Sequence, residues 1–191
     1  MRVYLAGPDV FMPDPLDRAA ALKAVCRRHG LTGVSPLDAL ADEPSDWAAL
    51  AEARRIALRN EAHIRSCVAL IANLTPFRGP SADAGTVFEV GFMRALGRPV
   101  FGWSNDPRLF ADRTQAFLNG FARCTEAGWR DGEDMLLEDF ALRDNLMIDG
   151  AVLASGGALF VADPPAQGRW SDLSAFEACV AALATALGQR G

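Results

Sequence analysis

The chain has 191 residues, 50% of them apolar, and a formal net charge of -5. This is the size of one ordinary domain with enough apolar residues for a sizeable core, and residues 1–191 are read as a single unit. The basic residues are scattered, which excludes the clustered positive footprint of a protein that grips a nucleic-acid polymer.

Arg2 to Ala6 reads as a short buried strand that ends at Gly7-Pro8. That opening is too short for a signal peptide, and no later run approaches the ~20 apolar residues of a membrane span, so no membrane partner and a cytoplasmic location are expected. From Asp14 to His29 apolar residues recur at helical spacing, and Gly30 stops the helix at C'. A second strand is expected over Leu31 to Val34, then a polar loop and a helix from about Asp46 to Ser66. Cys67 to Ala72 is a continuous apolar run, the pattern of a strand covered on both faces.

The loop Asn73 to Ala84 leads into a helix expected over Thr86 to Leu96, with Gly97 as its cap and Pro99 to Gly102 as the next strand. The stretch from Ser104 to about Asp134 carries few periodic signals and is unassigned. A short strand-like run lies between Gly157 and Asp163, and Asp172 to Leu187 is an amphipathic helix. Strands alternating with helices predict an α/β domain with an open parallel sheet flanked by helices.

Cys26, Cys67, Cys124 and Cys179 form no C-x-x-C pair and read as buried free thiols. His29 and His63 have no ligand spacing, so neither a metal site nor a Ser-His-Asp hydrolase is expected.

Ligands of open parallel sheets sit outside the carboxyl ends of the strands. Two such places hold unusual residues. After Tyr4-Leu5-Ala6, Gly7 permits close approach to the backbone. After the apolar run, Asp83 and Glu89 bring two carboxylates to a helix start, where the N–H groups and helix dipole favour the ionised form of a first-turn Glu89. Glu89 has a second reading, since Thr86-Val87-Phe88-Glu89 matches the capping box S/T-x-x-E. By default Asp83 is a turn residue and Tyr4 a strand aromatic with its hydroxyl at the sheet edge.

Tyr4-Leu5-Ala6-Gly7-Pro8, Asn60 with Ile64, Ala72 to Gly79, and Asp83-Ala84-Gly85-Thr86 through Glu89-Val90-Gly91 together resemble the nucleoside 2-deoxyribosyltransferase family. Glu138-Asp139-Phe140 and Asn145-Leu146-Met147-Ile148 are similar to its later segment, which is lent to a neighbouring subunit. The resemblance implies a flavodoxin/Rossmann-like sheet and transfer of 2-deoxyribosyl between nucleobases by a retaining double displacement, as in retaining glycosidases. It implies Glu89 as nucleophile, Asp83 at the base and Tyr4 positioning the carboxylate. Gly7 and Gly85 would border the ligand, Asn60 would hydrogen-bond within the site, and Asn145 and Met147 would arrive from the partner of a homo-oligomer with shared active sites. Phe11 packs either on the base or in the core. The implied partners are deoxynucleosides and free nucleobases, with no cofactor.

Cys67 departs from the family where an aspartate is common, as do Arg143-Asp144 and the region from Trp103 to Asp131, leaving base preference open. Two rivals stand beside this reading: a 2'-deoxynucleoside 5'-monophosphate N-glycosidase, for which Arg78 would supply charge, and a nucleotide-binding module without turnover.

Overall fold

In the computed structural model, which describes residues 1–189, the first apolar run forms β1 (Arg2–Ala6) and the amphipathic stretch after it forms α1 (Pro15–Arg28). β2 (Thr32–Val34), α2 (Glu52–Ser66), β3 (Ala69–Asn73), α3 (Ala84–Ala95) and β4 (Val100–Ser104) follow as alternating units. The region unassigned from sequence holds α4 (Phe110–Phe117) and a small antiparallel hairpin of β5 (Arg123–Thr125) and β6 (Gly128–Arg130). α5 (Leu146–Ala154), β7 (Leu159–Val161) and α6 (Ser174–Gly188) complete the order. The helix expected from Asp46 is shorter than its pattern: Ser45–Ala49 is a 3-10 turn, and Leu50 and Ala51 are extended before α2 begins. Ala49, Leu50 and Ala51 are all competent helix formers, so tertiary context overrides propensity here.

The five-stranded sheet is parallel throughout, in the order β2-β1-β3-β4-β7. Side chains alternate across it. Val3, Leu5, Ile71, Phe101 and Trp103 pack under α1 and α6, where the Trp103 and Phe176 rings lie 5.6 Å apart. Tyr4, Ala6, Leu70, Ala72 and Val100 face Ile64 of α2, Val90 and Met93 of α3, and Ile148 and Val152 of α5. Full burial of side chains such as Val90 and Met93 stabilises by about 1.5–3 kcal/mol each. Two apolar faces explain why β3 reads as an unbroken apolar run rather than an alternating one.

Strand order reverses between β1 and β3, so the chain leaves these neighbours toward opposite sides and opens a crevice at their carboxyl ends. The segments beginning at Gly7 and Leu74 border that crevice. Among the described residues no helix is long and apolar enough to cross a membrane, and no group of three or more His, Cys, Asp or Glu is placed to hold a metal. The cysteines are unpaired, and Cys124 is exposed rather than buried, because the hairpin that carries it stands outside both cores.

Candidate active site

α3 begins two residues before its expected start, because Asp83 rather than Thr86 supplies the cap. Asp83 Oδ2 accepts from the Thr86 backbone N–H at 2.9 Å and from Thr86 Oγ1 at 3.1 Å. This satisfies one of the orphan donors of the first turn. Glu89 thereby falls in the second turn, and the Thr86–Glu89 capping box does not form. The Glu89 side chain instead faces the sheet, where its Oε1 accepts a 2.7 Å hydrogen bond from the Tyr4 hydroxyl. The pair joins groups 85 residues apart in sequence, and its partners are 9% and 0% exposed. Tyr4 therefore points into the α3 face of the core rather than to the sheet edge.

Burial sets the acid–base character of the pair. Loss of hydration pushes the Glu89 carboxyl up to about 7, the Tyr4 hydrogen bond opposing this and the charge of Asp83 adding to it. The helix dipole expected to keep Glu89 anionic is outweighed by desolvation. Burial, together with the carboxylate beside it, drives the Tyr4 hydroxyl far above its ordinary range, so Tyr4 stays a proton donor. A carboxyl buried and half ionised near neutrality, held by a fixed donor, can act as a nucleophile or as an acid–base group.

The close approach that Gly7 permits is made by Asn73: a Cβ at Gly7 would lie 2.8 Å from the Asn73 Cβ and 2.5 Å from Asp9 Oδ2. Asn73 Nδ2 donates to Asp9 Oδ2 at 2.9 Å, its Oδ1 accepts from the Thr75 N–H at 3.1 Å, and Arg18 holds the other oxygen of Asp9 at 2.7 Å. These contacts fix the two segments that border the crevice. Asn73 is a polar residue closing an otherwise apolar buried strand, and that contrast is the signal in the sequence that could have singled it out with Asp9.

Phe11 is 56% exposed and stacks on Phe77, with ring centroids 5.4 Å apart and planes 12° from parallel, so it stands outside both apolar cores. Trp170 meets Phe77 edge-on at 6.2 Å. The guanidinium of Arg78 lies over both phenylalanine rings, 4.5 Å from Phe77 and 5.2 Å from Phe11. Its backbone is left-handed, φ 56°, in a tight loop closed by the Phe77 N–H on the Ser81 carbonyl. Such a conformation in a non-glycine residue costs about 1–3 kcal/mol and clusters at functional sites.

Of the remaining expected residues only Gly85 is in contact with a residue of this centre, Asp83, and the others lie on other segments. Gly85 is exposed at the start of α3, 3.1 Å from Asp83 Oδ2 as measured from an added Cβ. Asn60 lies on α2 with its Oδ1 buried and unpaired. Asn145 caps α5: its Oδ1 accepts from the Met147 N–H at 3.0 Å and its Nδ2 donates to Glu138 at 2.6 Å, while Met147 is 71% exposed. Asp144 ties this segment to the loop preceding Asp83 in the same chain. It accepts from Ser81 Oγ at 2.5 Å and from the Ala82 N–H at 3.0 Å, and faces the buried Arg113 guanidinium at 3.5 Å.

The nucleoside 2-deoxyribosyltransferase family model matches residues 3–147, from the strand that holds Tyr4 into the first turn of α5. The chain belongs to that family. Among relatives outside the solved structures, an uncharacterized protein of Schizosaccharomyces pombe is 27% identical over 169 residues, 83% of this chain and 80% of that protein. The solved 2-desoxiribosyltransferase from Leishmania mexicana is 28% identical with a TM-score of 0.58, covering 77% of this chain and 84% of the other. A conserved protein from Enterococcus faecalis, 23% identical, shares the fold over 100% of this chain and 99% of its own at a TM-score of 0.54. The deoxyribosyltransferase match stops before Trp170, so the residue that closes the aromatic cluster lies in a part of the chain the family model does not cover.

Proposed function

We propose that this chain transfers the 2-deoxyribosyl group between nucleobases through an ester on Glu89. The observation that carries the reading is the buried Glu89 carboxyl held by the Tyr4 hydroxyl at 2.7 Å. In the first step a Glu89 oxygen forms a bond to the anomeric carbon as the bond from that carbon to the base nitrogen breaks. The base leaves with the bonding electrons and gains a proton, and the flank of α3 where Asp83 stands is where we put that transfer. In the second step a nitrogen of an incoming base attacks the same carbon from the face the first base left, the ester breaks, and the incoming base sheds its proton. Two inversions give retention. Tyr4 holds the carboxylate oriented and offers it one hydrogen bond without neutralising it.

We further propose a homo-oligomer in which Asn145 and Met147 complete a neighbour's site. α3 and α5 leave Phe88, Met147 and Leu153 at least 59% exposed, an apolar surface that supports association.

The test is incubation with deoxyinosine, with and without free adenine, followed by chromatography. Newly formed deoxyadenosine, abolished by Glu89→Ala, is the expected result. Hypoxanthine released equally without adenine would make the chain an N-glycosidase, and no change with either would overturn both enzymatic readings.

A further inference from the structure

The stacked Phe11 and Phe77 and the edge-on Trp170 wall a cavity of about 290 Å³ with Pro8, Met12 and Pro13. It lies where β1 and β3 release the chain, at the reversal of strand order where ligands of such sheets bind. β1 is also the strand that carries Tyr4, and β3 pairs with it through Tyr4 and Leu70. The volume is at the low end of the roughly 300–1,000 Å³ of small-molecule clefts, ample for a flat ring system. Its wall is aromatic and aliphatic, so it reads the face of a ring more than its edge.

Trp170 is not a loose surface residue. Asn105, at the end of β4, donates its amide to the backbone carbonyls of Arg169 at 2.9 Å and Asp172 at 3.0 Å, on either side of Trp170. Arg169 in turn donates to Asp106 Oδ2 at 2.9 Å and to the Pro76 carbonyl at 3.1 Å, just before Phe77. The strand ends thus hold the Trp170 segment against the loop that carries Phe77. An ordered aromatic, fixed by buried polar residues beside a ring-sized cavity, is a preorganised surface for stacking.

We infer that this cavity receives the nucleobase and that Trp170 is a specificity-determining residue favouring purine over pyrimidine deoxynucleosides, because a two-ring base covers more of an aromatic wall than a one-ring base. The kinetic side of the inference rests on the proposed glycosyl transfer; the binding side does not.

The experiment measures binding of free hypoxanthine and of free thymine by calorimetry to the wild type, Trp170→Ala and Trp170→Phe. It is paired with KM and kcat for deoxyinosine and thymidine, adenine serving as acceptor. Hypoxanthine should bind the wild type more tightly than thymine, and Trp170→Ala should weaken it by about tenfold or more, the worth of one base–aromatic stack. KM for deoxyinosine should rise by a similar factor with kcat nearly unchanged, thymidine should respond less, and Trp170→Phe should recover most of the loss. A Trp170→Ala chain with a wild-type circular dichroism spectrum and an unchanged preference for purine would overturn the inference, and so would equal losses for both bases. If no substrate is turned over while hypoxanthine binding still depends on Trp170, the proposed transfer fails and the base site stands. If transfer proceeds with its purine preference untouched by Trp170→Ala, the reverse holds.

Discussion

Replacing Glu89 by Gln separates the cost of its charge from the shape of its side chain. The amide keeps an oxygen to accept the Tyr4 hydroxyl, so the 2.7 Å hydrogen bond survives while ionisation is lost. In the folded chain burial holds the Glu89 carboxyl near 7 against an ordinary value of 4.5. At about 1.36 kcal/mol per pH unit, that gap amounts to at most about 3 kcal/mol. The folded value is the raised one, so the favourable contribution is complete below about 4.5, declines as pH rises through 7, and is gone above it. Glu89→Gln therefore matches the wild type in stability near pH 4.5 and exceeds it by up to about 3 kcal/mol at pH 8.5. For a domain of this size each kcal/mol moves the melting temperature by about 2–4 °C, which puts the gap at alkaline pH near 6–12 °C. Urea titrations of both chains from pH 4.5 to 8.5 measure it, together with base exchange, which the amide should abolish. Two stability curves that run parallel across the whole range would refute a desolvated Glu89 carboxyl, whatever the activity shows.

In the wild type kcat/KM should rise with pH to a plateau above about 7, as Glu89 becomes the anion that can attack; a profile flat from pH 5.5 to 8.5 would oppose this. Tyr4→Phe removes the one contact that lowers the Glu89 carboxyl, so this acid limb should move to higher pH by roughly one unit, equivalent to a hydrogen bond of about 1.5 kcal/mol. Asp83→Asn keeps a good helix cap, so stability should change by less than about 1 kcal/mol in urea titration. The same change should slow loss of a natural base far more than loss of an activated nitrophenyl aglycone. Asp144→Asn leaves the buried Arg113 without its anion and should cost about 3–5 kcal/mol in the same titration. Glu89→Ala and Asn145→Ala chains, inactive alone, should regain activity when unfolded and refolded together; silence from verified mixed oligomers would deny a shared site.

The alternation of strands and helices was legible because β1, β3 and β4 are short apolar runs, the first closed by Gly7 and the last preceded by Gly97. α5 escaped detection: Leu146-Met147-Ile148-Asp149-Gly150-Ala151-Val152-Leu153-Ala154 is apolar almost all round, and a helix without a polar face gives no 3.6-residue signal. The hairpin of β5 and β6 escaped because strands of three residues are too short for an alternating pattern to stand out. Motif spacing singles out Glu89 but not its surroundings, since the spacing from Thr86 satisfies a local rule that the Asp83 cap makes redundant. A cap is a competition among nearby acceptors. Asp83 wins here by reaching both the Thr86 N–H and its hydroxyl, and sequence spacing does not register that geometry. The Tyr4–Glu89 contact depends on which face of β1 packs under α3, and the Asn105–Arg169 contacts on the order of strands in the sheet; neither is a local property.

The displacement of Glu89 from the first turn to the second has a consequence for reactivity. At the first turn its carboxylate would face free N–H donors and solvent, well stabilised as an anion and correspondingly weak toward an electrophile. In the second turn it faces Tyr4, itself part of an apolar layer that includes Ile64, Val90 and Ala6. Burial there raises the free energy of the anion, while the single hydroxyl of Tyr4 limits the rise so that the carboxyl still ionises near neutrality. Without Tyr4 the carboxyl would ionise at higher pH, leaving less of the anion at neutrality. In the proposed reaction, further donors would stabilise the carboxylate too well for it to form the ester. The cap at Asp83 sets this balance from a distance: by satisfying the first turn, it frees Glu89 to turn inward toward β1.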